Sequence, residues 1–188
     1  MTKLIIASIL LLTSSVCNAS QKMFDCLSTK NKHPDIYSLA CSMFQEAHTD
    51  GYEAAIATGL VVRNRMKNHK KFKNQDSYRK VVWHQRVRGV PQFSWTIKPS
   101  AKIPMDHFNQ YLMLASIIDA GVLDGVMPEG VLWFHDKKIR TPWSDKLKTH
   151  SVIGSHRFFN RPTDTNINQP IISDRIKNII LRLGLKAI

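Results

Sequence analysis

Residues 38–48 read Ser-Leu-Ala-Cys-Ser-Met-Phe-Gln-Glu-Ala-His, and this stretch limits what the chain can fold into more than any other. Leu39, Ala40, Met43, Phe44 and Ala47 recur at three- and four-residue spacing, the mark of a helix that turns one face to a core. Glu46 falls one turn after Met43, at the edge of that face. It is one of only three glutamates, the others being Glu53 and Glu129. Partial burial disfavours an ionised carboxylate and raises its pKa. A carboxyl that stays protonated near neutrality can act as the general acid that breaks a glycosidic bond. A salt-bridged or solvated helix glutamate is the plainer reading of the same residue.

Further along, the pattern predicts a series of helices with two strand-like segments. The first helix is expected over 34–47, with Pro34 well placed at its first position. A turn at 48–51 leads to a second helix over 52–68, with Ala55, Ile56, Gly59, Leu60 and Val62 on its apolar side. Asp76-Ser77 is placed to cap a short third helix through Trp83. Residues 84–105 hold three prolines, two of them (Pro91 and Pro99) near the cluster Gln92-Phe93-Ser94-Trp95, and read as an irregular loop or short strand. A helix follows over 106–120, stopped by Gly121. Residues 130–135 and 151–159 each read as one strand. A polar linker at 161–170 precedes an amphipathic C-terminal helix. In this reading Asp35, Glu53, Asp76, Asp106 and Asp174 stand at helix starts, where capping or the macrodipole accounts for them. Glu46 has no such local explanation.

The N-terminus bears on compartment. Met1-Thr2-Lys3 is a short positive segment, residues 4–12 are an uncharged apolar run, and small residues follow up to Ala19. That is the layout of a signal peptide over 1–19, too short for a comfortable membrane span; an uncleaved anchor is the alternative. Export to the periplasm or cell envelope is therefore expected. About 169 residues would remain, enough for one domain over 20–160 plus the C-terminal segment 161–188. Cys26 and Cys41 would then be an even pair in an oxidising compartment, a candidate disulfide. Two separate thiols are the alternative. No Cys or His grouping has metal-ligand spacing, and no cofactor is expected.

The net charge is +13, unevenly placed. Between residues 54 and 105 the only acid is Asp76, against twelve lysines and arginines. Such a field favours an anionic polymer or surface. For an exported protein, envelope material fits better than nucleic acid, and a monomer is expected. Much of this charge also reads as an ordinary solvated face.

Five segments, in order, resemble the cell-wall hydrolases typified by the spore cortex-lytic enzyme SleB. They are Glu46-Ala47 with Tyr52-Glu53; the helix ending Val-x-x-Asn-Arg at Arg65; Gln92-Phe93-Ser94; Trp133-Phe134-His135 with Trp143; and Ile153-Gly154-Ser-His156-x-Phe158. Where the family commonly has Arg-Gly-Glu after its Glu-Ala pair, this chain has His48-Thr49-Asp50. No segment resembles the family's frequent separate peptidoglycan-binding domain. The resemblance implies a mainly helical, lysozyme-like α+β domain with a small β region that cleaves the glycan strands of peptidoglycan with Glu46 as general acid. A single carboxyl suits a lytic transglycosylase, which leaves a 1,6-anhydro product. Asp50, one turn past Glu46 if the helix continues, would be a second carboxylate and keeps hydrolysis open. Gln92, Phe93, Ser94, Trp95, His135, Trp143 and His156 are the expected substrate contacts, with core packing the alternative for each aromatic. An amidase acting on the peptide stem and a non-catalytic envelope-binding protein are the competing functions.

Overall fold

A computed structural model describes residues 21–69, 71–85, 89, 91–98, 100–161 and 170–185. The segment read as a signal peptide and most of the polar linker lie outside the described residues. The chain enters through a short strand, β1 (Met23–Asp25), and a 3-10 turn, Cys26–Lys30. Helices α1 (Asp35–Ala47), α2 (Gly51–Lys67) and α3 (Tyr78–Val82) follow. Strand β2 (Lys102–Pro104) returns antiparallel to β1 and leads directly into α4 (Met105–Asp119). Three strands, β3 (Trp133–Asp136), β4 (Lys148–Ile153) and β5 (His156–Asn160), form an antiparallel sheet in the order β3-β5-β4. Helix α5 (Pro170–Arg182) closes the described chain. The α+β class read from the sequence is the one observed.

The core is built around α1, which packs on α2, α3 and α4. Leu39, Ala40, Met43 and Ala47 are fully buried, as their spacing requires. Gly59 lets α2 approach its neighbours closely. A Cβ there would stand 2.8 Å from Ile118 Cδ1 on α4 and 2.9 Å from Met43 Sδ on α1. Cys26 and Cys41 form a disulfide with their Cα atoms 5.7 Å apart, tying the N-terminal arm to α1. Phe24 on β1 stacks on Phe108 of α4, their ring centroids 3.9 Å apart, and seals the same end of the domain.

Three local readings are corrected. Asp35 stands in the first turn of α1, but its carboxylate accepts from the backbone N–H groups of Tyr78 and Arg79, both at 2.8 Å. It thus satisfies orphan donors of α3 from across the fold, alongside Ser77, whose hydroxyl accepts from Lys80 N. Residues 151–159 are two strands rather than one: Gly154, at φ +58°, turns the chain back between Ile153 and His156. The basic run ending α2 is only partly a solvated face. Arg63 and Arg65 are buried, the former paired with Asp124, whereas Lys67 reaches Asp124 and Glu129 at the surface. The C-terminal helix is packed on the domain through Ile176, which is fully buried, and through Ile179, Ile180 and Leu183.

Candidate active site

The end of α2 sets the frame of the site. Asn64 Nδ2 donates to the carbonyls of Pro128 (2.9 Å) and Val131 (3.1 Å), and Arg65 Nε donates to that of Leu132 (2.6 Å). These bonds fix the segment that runs straight into β3. The Asn-Arg pair ending α2 therefore positions Trp133, Phe134 and His135. Arg65 also donates to Gln92 Oε1 and lies over the Phe93 ring, 5.8 Å from its centroid. One buried guanidinium so joins α2, the 92–94 segment and the start of β3.

Between these elements and the end of α1 lies a polar cleft of about 500 Å³. Of the residues singled out in the sequence, Glu46, Asp50, Gln92, Phe93, Ser94, His135 and His156 line it. Trp143 does not reach this cleft; it lines an adjoining hollow with Trp133. Trp95 is the exception among the expected contacts. It is 1% exposed and packs edge-on to Trp83, supporting the 92–94 segment from behind. A large ring next to a polar turn can face either side of it, and here the core claimed it.

Glu46 sits half-buried in the cleft wall, and its carboxyl makes no hydrogen bond among the described residues. Burial raises its pKa from 4.5 to about 7, against the opposing pull of the Lys98 and Arg65 charges. Asp50 is held differently. Helix α1 ends at Ala47, and a 3-10 turn, His48–Asp50, carries Asp50 toward the β4–β5 turn. There Ser155 donates its hydroxyl to Asp50 Oδ2, and His156 Nδ1 lies 3.1 Å from the same oxygen, poorly aligned for a hydrogen bond but close enough to pair. Burial would raise the Asp50 pKa, but the Ser155 bonds and the His156 charge outweigh it, and the net shift is downward. His156 is itself pushed down by burial despite Asp50 and Asp136. Two carboxyls of one cleft are thus driven apart, Glu46 toward the acid and Asp50 toward the anion.

His135 completes the rim. Its Nδ1 donates to the Asp136 carbonyl at 2.7 Å, leaving Nε2 as an acceptor without a partner among the described residues. Sequence reasoning missed Arg65, Ser155 and Asp136 as cleft residues, and Lys98 as a charge acting on Glu46. Arg65 and Ser155 were within reach, since each lies inside a quoted family segment. Among the described residues no group of three His, Cys, Asp or Glu is arranged to hold a metal ion.

A model of the cell wall hydrolase family matches residues 49–159. The chain belongs to this family. The match covers α2 through β5, and so includes Asp50, the 92–94 segment, His135 and His156. Glu46 stands three residues before it. No curated protein and no solved structure matched the chain. Membership of the cell wall hydrolases supports peptidoglycan as substrate and its hydrolysis as the role.

Proposed function

We propose that this cell wall hydrolase cuts the glycan strand between N-acetylmuramic acid and N-acetylglucosamine, with Glu46 as the general acid. The observation that carries this reading is the Glu46 carboxyl, open to the cleft yet raised by burial to a pKa of about 7. Glu46 gives its proton to the glycosidic oxygen as the bond to the muramic C1 breaks. Now a carboxylate, it takes the proton of that sugar's own C6 hydroxyl. The C6 oxygen bonds to C1 and closes a 1,6-anhydro ring; Glu46 ends protonated and no water is consumed. Ser155 and His156 both engage Asp50 through its Oδ2, and the lytic transglycosylase route is the one that needs Glu46 alone.

Export through a signal peptide to the periplasm or envelope belongs to the same reading, supported by the charged start and apolar run of residues 1–19. The excess of basic residues suits an anionic envelope surface. Mass analysis of fragments released from purified peptidoglycan tests the proposal. Anhydro-muramic ends are expected. Reducing muramic ends would assign Asp50 a water-activating role, free stem peptides would point to an amidase, and no release at all to a binding protein.

A further inference from the structure

A further hollow, of about 560 Å³, opens where the end of the 3-10 turn Cys26–Lys30 meets α3 and the residues after it. It shares no lining residue with the Glu46 cleft or with the hollow at Trp143. Lys30, Arg79, Lys80 and His84 surround the Trp83 ring, three side-chain amides complete the lining, and no carboxylate belongs to it. Asp76 pairs with Lys80 at 2.7 Å, but neither Lys30 nor Arg79 forms an ion pair among the described residues. Both cations are nonetheless held in place. Lys30 Nζ lies 5.7 Å from the centroid of the Trp83 ring, and Arg79 Nη2 donates to the His33 carbonyl. Two more donors of the same side chains, Arg79 Nε and Trp83 Nε1, are covered yet bond to no acceptor among the described residues. Folds rarely leave a covered donor without an acceptor, because it loses water and gains nothing in return.

We propose that this hollow binds a phosphate ester carried by a hydrophilic envelope polymer, at a site separate from the cleft that acts on the glycan. The two cations without a carboxylate, Lys30 and Arg79, match the one or two negative charges of a phosphate group. The donors stand on three segments, at Lys30 and Asn31, at Asn74, and from Arg79 to Gln85. A tetrahedral phosphate presents acceptor oxygens in several directions, whereas a carboxylate offers two oxygens in one plane. A bilayer is the poorer partner, since none of the exposed large apolar side chains, Ile97 and Val122 among them, lines the hollow. The site is firmly joined to the cleft. Gln92 N donates to the His84 carbonyl at 3.3 Å, and Trp83 packs edge-on to Trp95 behind the 92–94 segment. A domain anchored here holds its cleft beside the polymer.

The test is a titration of the full chain with glycerol 3-phosphate, followed by nuclear magnetic resonance. The readout is the indole N–H signal of Trp83, identified by its loss in Trp83→Phe. That signal should shift saturably with a Kd on the order of millimolar, while acetate at matched ionic strength leaves it in place. Lys30→Gln should weaken binding about fivefold. Lys102→Gln, which removes an equal charge on β2 outside the hollow, should bind as wild type does. Arg79→Lys should also weaken binding; if loss of the His33 contact unfolds it, the exposed Lys30 still decides. No saturable shift, an equal response to acetate, or an equal loss in Lys102→Gln would overturn the site. The source of the phosphate is read by comparing soluble poly(glycerol phosphate) with phosphatidylglycerol vesicles at equal phosphate. Binding to the polymer that depends on Lys30 is expected, and stronger Lys30-dependent capture by the vesicles would assign the hollow to a membrane surface instead. Fragment release from phosphate-free peptidoglycan should be unchanged in Lys30→Gln, and a loss there would make the hollow part of the cleft and end its standing as a separate site.

Discussion

Asp50 and His156 face each other across the fold, Oδ2 to Nδ1 at 3.1 Å, and tie the turn before α2 to the first residue of β5. Gly154 makes this approach possible. It sits at φ +58°, and a Cβ there would lie 2.8 Å from Asp50 Cβ and 3.2 Å from Ala54 Cβ. The β4–β5 turn therefore rests directly on the N-terminus of α2, which places Ser155 and His156 in the cleft.

Gly154→Ala should consequently damage both stability and activity. The left-handed backbone alone costs a non-glycine residue about 1–2 kcal/mol, and the clash is with atoms close to the Asp50 main chain, which cannot swing away. A loss of about 2–4 kcal/mol is expected in denaturant unfolding. Activity should fall even at temperatures where the variant stays folded. A variant with wild-type stability and rate would show that the turn is not held against Asp50.

How far the fold was legible follows from the range of each interaction. Helices α1, α2 and α4 were readable because their apolar spacing is written within one element. The β4–β5 hairpin was read as one strand because Gly154-Ser155 is a minimal turn inside an otherwise continuous run of strand-favouring residues. Asp35 was assigned to its own helix, since nothing local reveals that its carboxylate serves α3, 43 positions away. Most of the cleft came through, because family segments quoted from the sequence converge there. Trp95 and Arg65 were misjudged for one shared reason. Whether an aromatic or a cation faces water depends on what packs behind it, and that is set by distant residues.

The disulfide should contribute measurably to stability. Cys26 and Cys41 close a loop of 15 residues, for which the chain-entropy model gives about 3 kcal/mol. Since Cys41 shares α1 with Glu46, loosening the helix should also reach the cleft. Cys26→Ser/Cys41→Ser should lower the melting temperature by several degrees and reductant should reproduce the effect in wild type. Two free thiols in the unfolded, unreduced protein would show that the bond does not form.

Helix α5 offers a matched pair. Ile176 is fully buried, whereas Leu181 on the same helix is 73% exposed. If α5 is packed on the domain, Ile176→Ala should cost about 2–4 kcal/mol by leaving a cavity, and Leu181→Ala close to nothing. If α5 served instead as a surface-seeking helix, Leu181→Ala would weaken binding to anionic vesicles while Ile176→Ala would leave stability intact.

Glu46→Gln separates the catalytic role of the residue from its structural cost. The folded-state pKa of Glu46 is raised from 4.5 to about 7. Between those values the native protein binds more protons than the unfolded chain, so stability falls as pH rises through that window. Above about 7 the wild type carries an ionised carboxylate in a site that favours the neutral form. Glutamine has no such charge, so the variant should unfold at the same denaturant concentration as wild type near pH 4 and at a higher one near pH 8. After discounting for the side's access to solvent, a difference on the order of 1–2 kcal/mol is expected. Activity should move the opposite way. Removing the transferable proton should cost about 10²–10⁴-fold in the rate of glycan release, while wild-type activity should decline as pH rises through about 7. Fold and peptidoglycan binding should persist, because the amide resembles the protonated acid. A variant that still clears cell walls at the wild-type rate would remove Glu46 from the chemistry; a large loss of rate accompanied by a gain in stability at alkaline pH would mark it as a group held for function at the expense of the fold.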